Sequence, residues 1–417
     1  MLVLSPRVLL LLPTATYRTR DFMEAAACLG TLVVVASEEP SAMERVAEDS
    51  LLTLDFLDAS GSAAKVASFH EKYPLSAIFS VDEETAVIAS TISQKLGLAH
   101  NAPEAAMRAR LKHLMRRVLE AARVPSPAYR VLDTGDDPRR VARQVRYPVV
   151  LKPVFLSGSR GVQRVNNVDE FIRAFEWLRS FLARKDVAKR GGEYASVVLV
   201  EDYVPGAEVA LEALLSDGKL EKLALFDKPD PLEGPYFEET IYVTPSRLAS
   251  ERQDEIVEVT RRAAAALGLR HGPVHAELRL PPHREPSVIE IAGRSIGGLC
   301  SRTLRFGLGL SLEELILRHA LGRDVSDLDR EADAAGVMMI PIPQAGTLEE
   351  ITGVDEAKAT PAIEGVTITA PLGRPLVPLP EGSSYLGFIF ARAKTPAKVE
   401  TALRASHKKL TFKIRRS

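Results

Sequence analysis

Residues 8–12 are five consecutive apolar side chains, stopped at once by Pro13. A run that short and that uniformly apolar suits a strand buried on both faces, the hallmark of a parallel sheet covered by helices. Nowhere do eighteen or more apolar residues follow one another, so no segment is expected to cross a bilayer as a helix. Arg7 ahead of the run gives a superficial likeness to a secretory signal, but no small-residue cleavage site follows it. An amphipathic stretch at 21–29, a second apolar run at 31–36, a third at 77–81 and a helical pattern at 84–96 closed by Gly97 continue the alternation. Strand and helix in turn predict a doubly wound α/β layer that ends near residue 105.

At 417 residues the chain is long enough for two to four domains. The 54 basic and 55 acidic residues leave a formal net charge of -1, without the positive excess that polyphosphate chains attract, so nucleic acid is not an expected partner. Only Cys28 and Cys300 are present, too few for a disulfide framework or a cysteine zinc site, which fits a reducing cytoplasm. Beyond the first layer a helical pattern covers 105–122, and Pro125 and Pro127 separate it from strands at 128–132 and 147–153. A helix starts at Val168, with Asn167 as N-cap and Glu170 at the capping-box position. The charged stretch 184–193 reads as a surface loop before a strand at 196–200. Strands at 208–215 and 220–226 flank a Ser-Asp-Gly turn, and the loop 227–239 follows. A helix at 251–267 closed by Gly268 precedes strands at 274–280 and 287–292 and a helix at 312–321. From about residue 335 short β-like pieces with many prolines predict a β-rich end with one helix at 396–407.

Three groups of residues carry chemistry. In Tyr147-Pro-Val-Val-Leu-Lys152-Pro a lysine closes a buried strand, where it needs an anion, and Ser157-Gly158-Ser159-Arg160-Gly161-Val162 follows as a small-residue loop able to present backbone N–H groups to phosphate. The loop alone also suits an ordinary hairpin turn, and it is neither a Walker loop nor a dinucleotide fingerprint. In Glu201-Asp202-Tyr203-Val204-Pro-Gly-Ala-Glu208 an acid ends an apolar strand and another stands seven residues on, a spacing that serves an adenine edge and ribose hydroxyls but equally an exposed turn. Glu277 and Glu290 fall on neighbouring strands, with Arg294 four residues further. Paired carboxylates repel unless a hard cation such as Mg²⁺ sits between them, whereas a cross-strand Glu–Arg ion pair is the plainer alternative.

With these motifs in this order, the chain resembles the ATP-grasp superfamily of carboxylate–amine ligases, in the biotin carboxylase-like branch that includes bacterial L-amino acid ligases. The likeness extends to Phe226-Asp-Lys-Pro-Asp-Pro-Leu-Glu-Gly-Pro-Tyr-Phe-Glu-Glu-Thr240, which looks like those ligases' substrate loop, and to the segments 336–346 and 380–390. It implies an α/β (α+β ATP-grasp) fold: an N-terminal doubly wound domain over 1–108, a small lid subdomain over 109–205, a large antiparallel subdomain with the metal and catalytic site over 206–335, and a β-rich C-terminal subdomain over 336–417. It matches Lys112 and Lys152 to the lysines on ATP phosphates, Ser157, Gly158, Ser159, Gly161 and Val162 to the mobile lid, and Glu201, Asp202 and Val204 to the adenine hinge. Glu208 matches the ribose acid, Glu277 and Glu290 the magnesium ligands, and Arg294 the catalytic arginine, with Lys152 also expected to act on the transferring phosphoryl group. Many relatives carry an Asn two residues after the second metal glutamate, where this chain has Ala292.

The resemblance implies an enzyme that uses ATP and Mg²⁺, with Mn²⁺ as a substitute, to join a small-molecule carboxylate to an amine, two amino acids above all, through an acyl phosphate. A homodimer is the assembly it implies. Substrate contacts are expected at Glu84, Lys228, Tyr236, Glu238, Glu239, His275, Ser295, Gly297 and Gly298. Two alternatives stay open: a ligase acting on bicarbonate or another small acid, and an ATP-binding protein without turnover.

Overall fold

The computed structural model describes residues 5–14, 16, 18–307, 309–325 and 329–416. The N-terminal layer is a four-stranded parallel sheet in the order Leu51–Thr53, Leu32–Ser37, Arg7–Leu11, Ala77–Ser80, with helices Thr19–Cys28, Ala59–Lys72 and Ala86–Leu96. Val8 to Leu11 are wholly buried, as a doubly covered strand requires. Strand Leu51–Thr53 and helix Ala59–Lys72 were not anticipated, because of the helix's buried residues Ser62, Ala63, Val66 and Phe69 only the last is large, which leaves a weak periodic signal.

The helical pattern at 105–122 is two helices, Pro103–Arg110 and Lys112–Ala121, broken at Leu111, which is extended at φ −95° and ψ 106°. Instead of continuing the first helix, the Lys112 amide donates to the Val154 carbonyl at 3.0 Å. The small subdomain is an antiparallel sheet in the order Tyr129–Asp133, Val197–Asp202, Val149–Pro153, Gln163–Val165, packed on helix Val168–Leu182. Asn167 caps that helix by accepting from the Glu170 amide, whereas the Glu170 carboxylate reaches back to the Asn166 amide. The stretch 184–193 is no loop: Lys185–Gly191 is a helix, anchored by buried Val187 and by Gly191 packed close to the Phe155 ring.

The rest of the chain is built on one eight-stranded antiparallel sheet, in the order Ser287–Ala292, Gly272–Leu280, Ala207–Ser216, Lys219–Lys228, Ile241–Thr244, Ala334–Ile340, Gly387–Ala393, Ile363–Ile368. The sheet runs without interruption past residue 335, so most of the proline-rich β pieces share it with the strands that carry Glu277 and Glu290. A smaller sheet joins Pro375–Leu376, Gly346–Thr352 and Thr411–Arg415, which makes the basic tail a paired strand. Helix Ser250–Leu267 covers one end of the large sheet through Ile256, Val259 and Ala263, and helix Pro396–His407 covers the other through Val399 and Leu403. On the opposite face, Phe226, Tyr242 and Phe388 pack with Leu315 and Ile316 of helix Leu312–Ala320 and with Leu10, Phe22 and Phe79 of the N-terminal layer in a single core. Among the described residues no helix is long and apolar enough to cross a membrane.

Candidate active site

A cleft of about 320 Å³ opens where the N-terminal layer, the small subdomain and the large sheet meet. Of the residues singled out from the sequence it is lined by Glu84, Lys112, Lys152, Ser157, Gly158, Ser159, Val162, Glu201, Asp202, Val204, Glu208, Glu239, His275, Glu277, Glu290, Arg294, Gly297 and Gly298. Gly161, Lys228, Tyr236, Glu238 and Ser295 fall outside the lining. Gly161 donates its amide to the Pro380 carbonyl behind the loop, Lys228 is buried beneath the floor, and Tyr236 points to the surface.

The strand pairing that sets Val150 opposite Glu201 brings Lys152 to the Glu201 carboxylate. From the other side Arg116 donates Nε to the same carboxylate at 2.6 Å and Nη2 to the Ile289 carbonyl. Burial alone would raise the Glu201 pKa, but Arg116 and then Lys152 outweigh it and hold the carboxyl below its ordinary range. Lys112 opens its helix one turn before Arg116, and its Nζ lies 2.7 Å from the Leu156 carbonyl and 3.2 Å from Glu290. The loop after Lys152 has left-handed backbone at Gly158, Ser159 and Gly161, and Arg160 Nε ties it to the Glu381 carbonyl at 2.7 Å.

Glu277 and Glu290 are direct cross-strand partners. Each already faces cations: Glu290 faces Lys112, while Glu277 accepts from His275 Nε2 at 3.2 Å and lies 3.5 Å from Lys228 Nζ. Burial opposes ionisation of Glu277, but Lys228 and His275 override it and hold the carboxyl well below its usual range. His275 is buried too, which disfavours its charge, yet Glu212 at Nδ1 and Glu277 at Nε2 push its pKa up to about 9. Two carboxylates set side by side on adjacent strands are a donor set that suits Mg²⁺, a hard cation commonly held by one or two carboxylates. Ala292 stands opposite His275 with no ligand atom to offer.

A second convergence was not foreseen. Carboxylate oxygens of Glu208, Glu239 and Glu277 come within 4.8 Å of one another. The Lys228 ammonium sits among them, 2.7 Å from Glu208 and 2.6 Å from Glu239, and against the Tyr242 ring at 4.9 Å. The other oxygen of Glu208 accepts from Arg279 Nε at 2.7 Å, so the acid matched to the ribose is engaged on both sides. Glu84 likewise pairs with Arg190 of the unanticipated helix at 3.0 Å, across the mouth of the cleft. Its neighbour Glu83 is the acid that reaches Arg294, at 3.1 Å from Nε, with its pKa raised by burial against the opposing pull of that arginine.

Arg116, Glu212, Arg279, Glu83 and Arg18 are the residues of this region that sequence reasoning passed over. Some left a trace. Arg116 follows Lys112 by four residues on one helix face, and Glu212 interrupts an apolar strand at an even spacing from Glu208, which puts both acids on the same side of the sheet.

Residues 145–303 match the ATP-grasp domain family, residues 23–100 the ATP-grasp N-terminal domain, and residues 338–415 the L-amino acid ligase C-terminal domain 2. An uncharacterised protein of Sinorhizobium fredii is 25% identical over 414 residues, 98% of this chain and 83% of that one. The alanine–anticapsin ligase of Bacillus subtilis is 30% identical over 253 residues, 58% of this chain and only 51%, about half, of the ligase. In three dimensions the chain is similar to the crystal structure of an L-amino acid ligase from Bacillus licheniformis, with a TM-score of 0.84, 24% identity and 99% of each chain covered.

Proposed function

We propose that this chain, which belongs to the ATP-grasp superfamily of carboxylate–amine ligases, joins two L-amino acids by an amide bond at the expense of ATP. The observation that carries this reading is the single cleft in which two buried-stem lysines, the paired acids Glu277 and Glu290, and Arg294 face one another. A nucleotide-binding protein without turnover has no need of an arginine beyond the phosphate end or of acids paired across two strands. Similarity to an alanine–anticapsin ligase and the match to an L-amino acid ligase C-terminal domain support amino acids as substrates.

In this mechanism Lys112 and Lys152 neutralise phosphate oxygens of ATP, and the loop from Ser157 to Val162 covers them. Glu201 keeps the Lys152 ammonium charged and fixed, and the backbone from Asp202 to Val204 faces the adenine edge. Mg²⁺ held by Glu277 and Glu290 would supply further neutralisation of the phosphate charge. An oxygen of the first amino acid's carboxylate attacks the γ-phosphorus, ADP departs, and an acyl phosphate forms; such a step depends on positioning and charge stabilisation. The neutral amine of the second amino acid then attacks the acyl carbon. Arg294 stabilises the resulting oxyanion, and as the amide forms the nitrogen gives up a proton and inorganic phosphate leaves with it as hydrogen phosphate. Closure of the cleft excludes the water that would hydrolyse the acyl phosphate. A homodimer in the cytoplasm is the expected setting.

The test is phosphate release from Mg²⁺-ATP with amino acids supplied singly and in pairs, followed by mass spectrometry. Release that requires a pair, with a product equal in mass to the pair less one water, is the expected result. Glu290→Ala is expected to lower that turnover by roughly a hundredfold or more, as loss of a group that stabilises transition-state charge does.

A further inference from the structure

The strand order of the N-terminal layer reverses between Arg7–Leu11 and Ala77–Ser80. In doubly wound sheets the loops leaving the carboxyl ends of strands at such a reversal run in opposite directions and leave a crevice where ligands bind. Both loops here face the cleft, the first with Pro13, Thr16 and Arg18 and the second with Asp82, Glu83 and Glu84.

Arg18 is 2% exposed, yet it is one of the residues that line the cleft. Nη1 donates to the Val81 carbonyl at 2.9 Å and Nη2 to Ser295 Oγ at 2.7 Å, while Nε has no acceptor. The nearest carboxylate, Glu313, lies 3.7 Å from Nη2, and its Oε1 is also without a hydrogen-bond donor. A guanidinium has five N–H groups, and leaving buried ones unpaired is costly, so Arg18 is built to receive a further acceptor. Ser295 joins it to Arg294, whose Nη1 donates to the Ser295 carbonyl at 2.9 Å. The negative side of the same crevice is Glu83, bound to Arg294 through Nε and flanked by Asp82.

Resting on the ligase reading, we propose that this crevice holds the amino acid that supplies the amine, with its carboxylate on Arg18 and its ammonium group toward Glu83. The assignment rests on the chemistry. A carboxylate that is to be phosphorylated must lie among Lys112, Lys152 and the metal acids, whereas one gripped by an arginine of the N-terminal layer is a spectator. Positive and negative groups lining one crevice fit a zwitterion, so the N-terminal layer selects an α-amino acid over a simple amine.

Amino acid carboxamides provide the probe, because they lack the carboxylate and can serve only as the amine component. With Mg²⁺-ATP and a free L-amino acid as acyl donor, alaninamide, leucinamide and phenylalaninamide are compared with the corresponding free amino acids. The wild-type protein is expected to favour the free acid in kcat/KM by about thirtyfold, the scale of a desolvated charge-assisted hydrogen bond. Arg18→Met is expected to bring the ratio to within about threefold while the KM for ATP stays within about twofold, because the nucleotide end is untouched. Should that variant fail to fold, Ser295→Ala, which removes the Oγ that orients the guanidinium, is expected to lower the ratio part of the way. Equal use of acids and amides by the wild-type protein, or an equal loss for both in Arg18→Met, overturns the inference while leaving the ligase intact. Absence of ADP release with every pair removes the ligase reading itself and the acceptor site with it.

Discussion

Glu201 shows how one side chain ties together elements that are far apart in the chain: Arg116 from a helix and Lys152 from the adjacent strand share its carboxylate, and all three are almost wholly buried. Breaking a buried ion pair by removing one partner strands the remaining charge, so Glu201→Gln is expected to lower stability by about 3–5 kcal/mol at neutral pH, measured by urea unfolding. The sign of the pH dependence comes from the lowered pKa. The stabilisation is complete above the ordinary glutamate range and is lost as pH falls through the lowered folded-state value, so the wild-type protein should lose stability on acidification more steeply than Glu201→Gln. Lys152, Glu277, Glu290 and Arg294 were legible as cleft residues because each is a charge set in an apolar strand or just after one, where burial demands a partner. Arg18 and Glu83 were not, because what gives them meaning lies elsewhere: Arg18 meets Ser295 across 277 residues of sequence, and Glu83 meets Arg294 across 211.

At the scale of elements, the helix Lys185–Gly191 changes the reading of the cleft mouth. Its Arg190 engages Glu84, and nearby Arg184 reaches Glu381, so the small subdomain touches both the N-terminal layer and the C-terminal segment through surface ion pairs. Exposed pairs contribute little, and Glu84→Ala and Arg190→Ala are each expected to cost less than about 1 kcal/mol, with the double variant showing no further loss of the pair. Steady-state kinetics separate this from a substrate role: if Glu84 contacts substrate, Glu84→Ala raises a KM far more than Arg190→Ala, whereas a shared ion pair makes the two alike. Helices with strong periodicity and clear caps, Val168–Leu182 after Asn167 and Pro396–His407, were readable from the sequence to within a residue. The break at Leu111 was not, since it depends on a hydrogen bond from Lys112 to Val154 that local sequence does not encode. Strands Ile241–Thr244, Gly346–Thr352 and Thr411–Arg415 also escaped, being short and weakly apolar or lying next to loop residues; their identity comes from the partners they pair with.

Across the whole molecule, the eight-stranded sheet and the core shared between it and the N-terminal layer make the parts interdependent. A fragment ending at residue 335 would strip the partner strand from Ile241–Thr244 and the covering helix Pro396–His407, leaving a bare apolar edge. Circular dichroism is expected to show no cooperative thermal transition for that fragment, in contrast to the full chain. The α/β class and the order of the parts could be read from strand and helix alternation, but the merging of the C-terminal β pieces into the central sheet could not, because pairing between residues far apart in the chain leaves no local pattern. In the proposed function this architecture brings an amino acid carboxylate to the γ-phosphoryl group of ATP and then to an amine. The most direct measurement supplies amino acids labelled with ¹⁸O in their carboxylates and follows the inorganic phosphate released during amide formation by mass spectrometry. The account predicts one ¹⁸O transferred to each phosphate, carried over when the acyl phosphate breaks; unlabelled phosphate would contradict it.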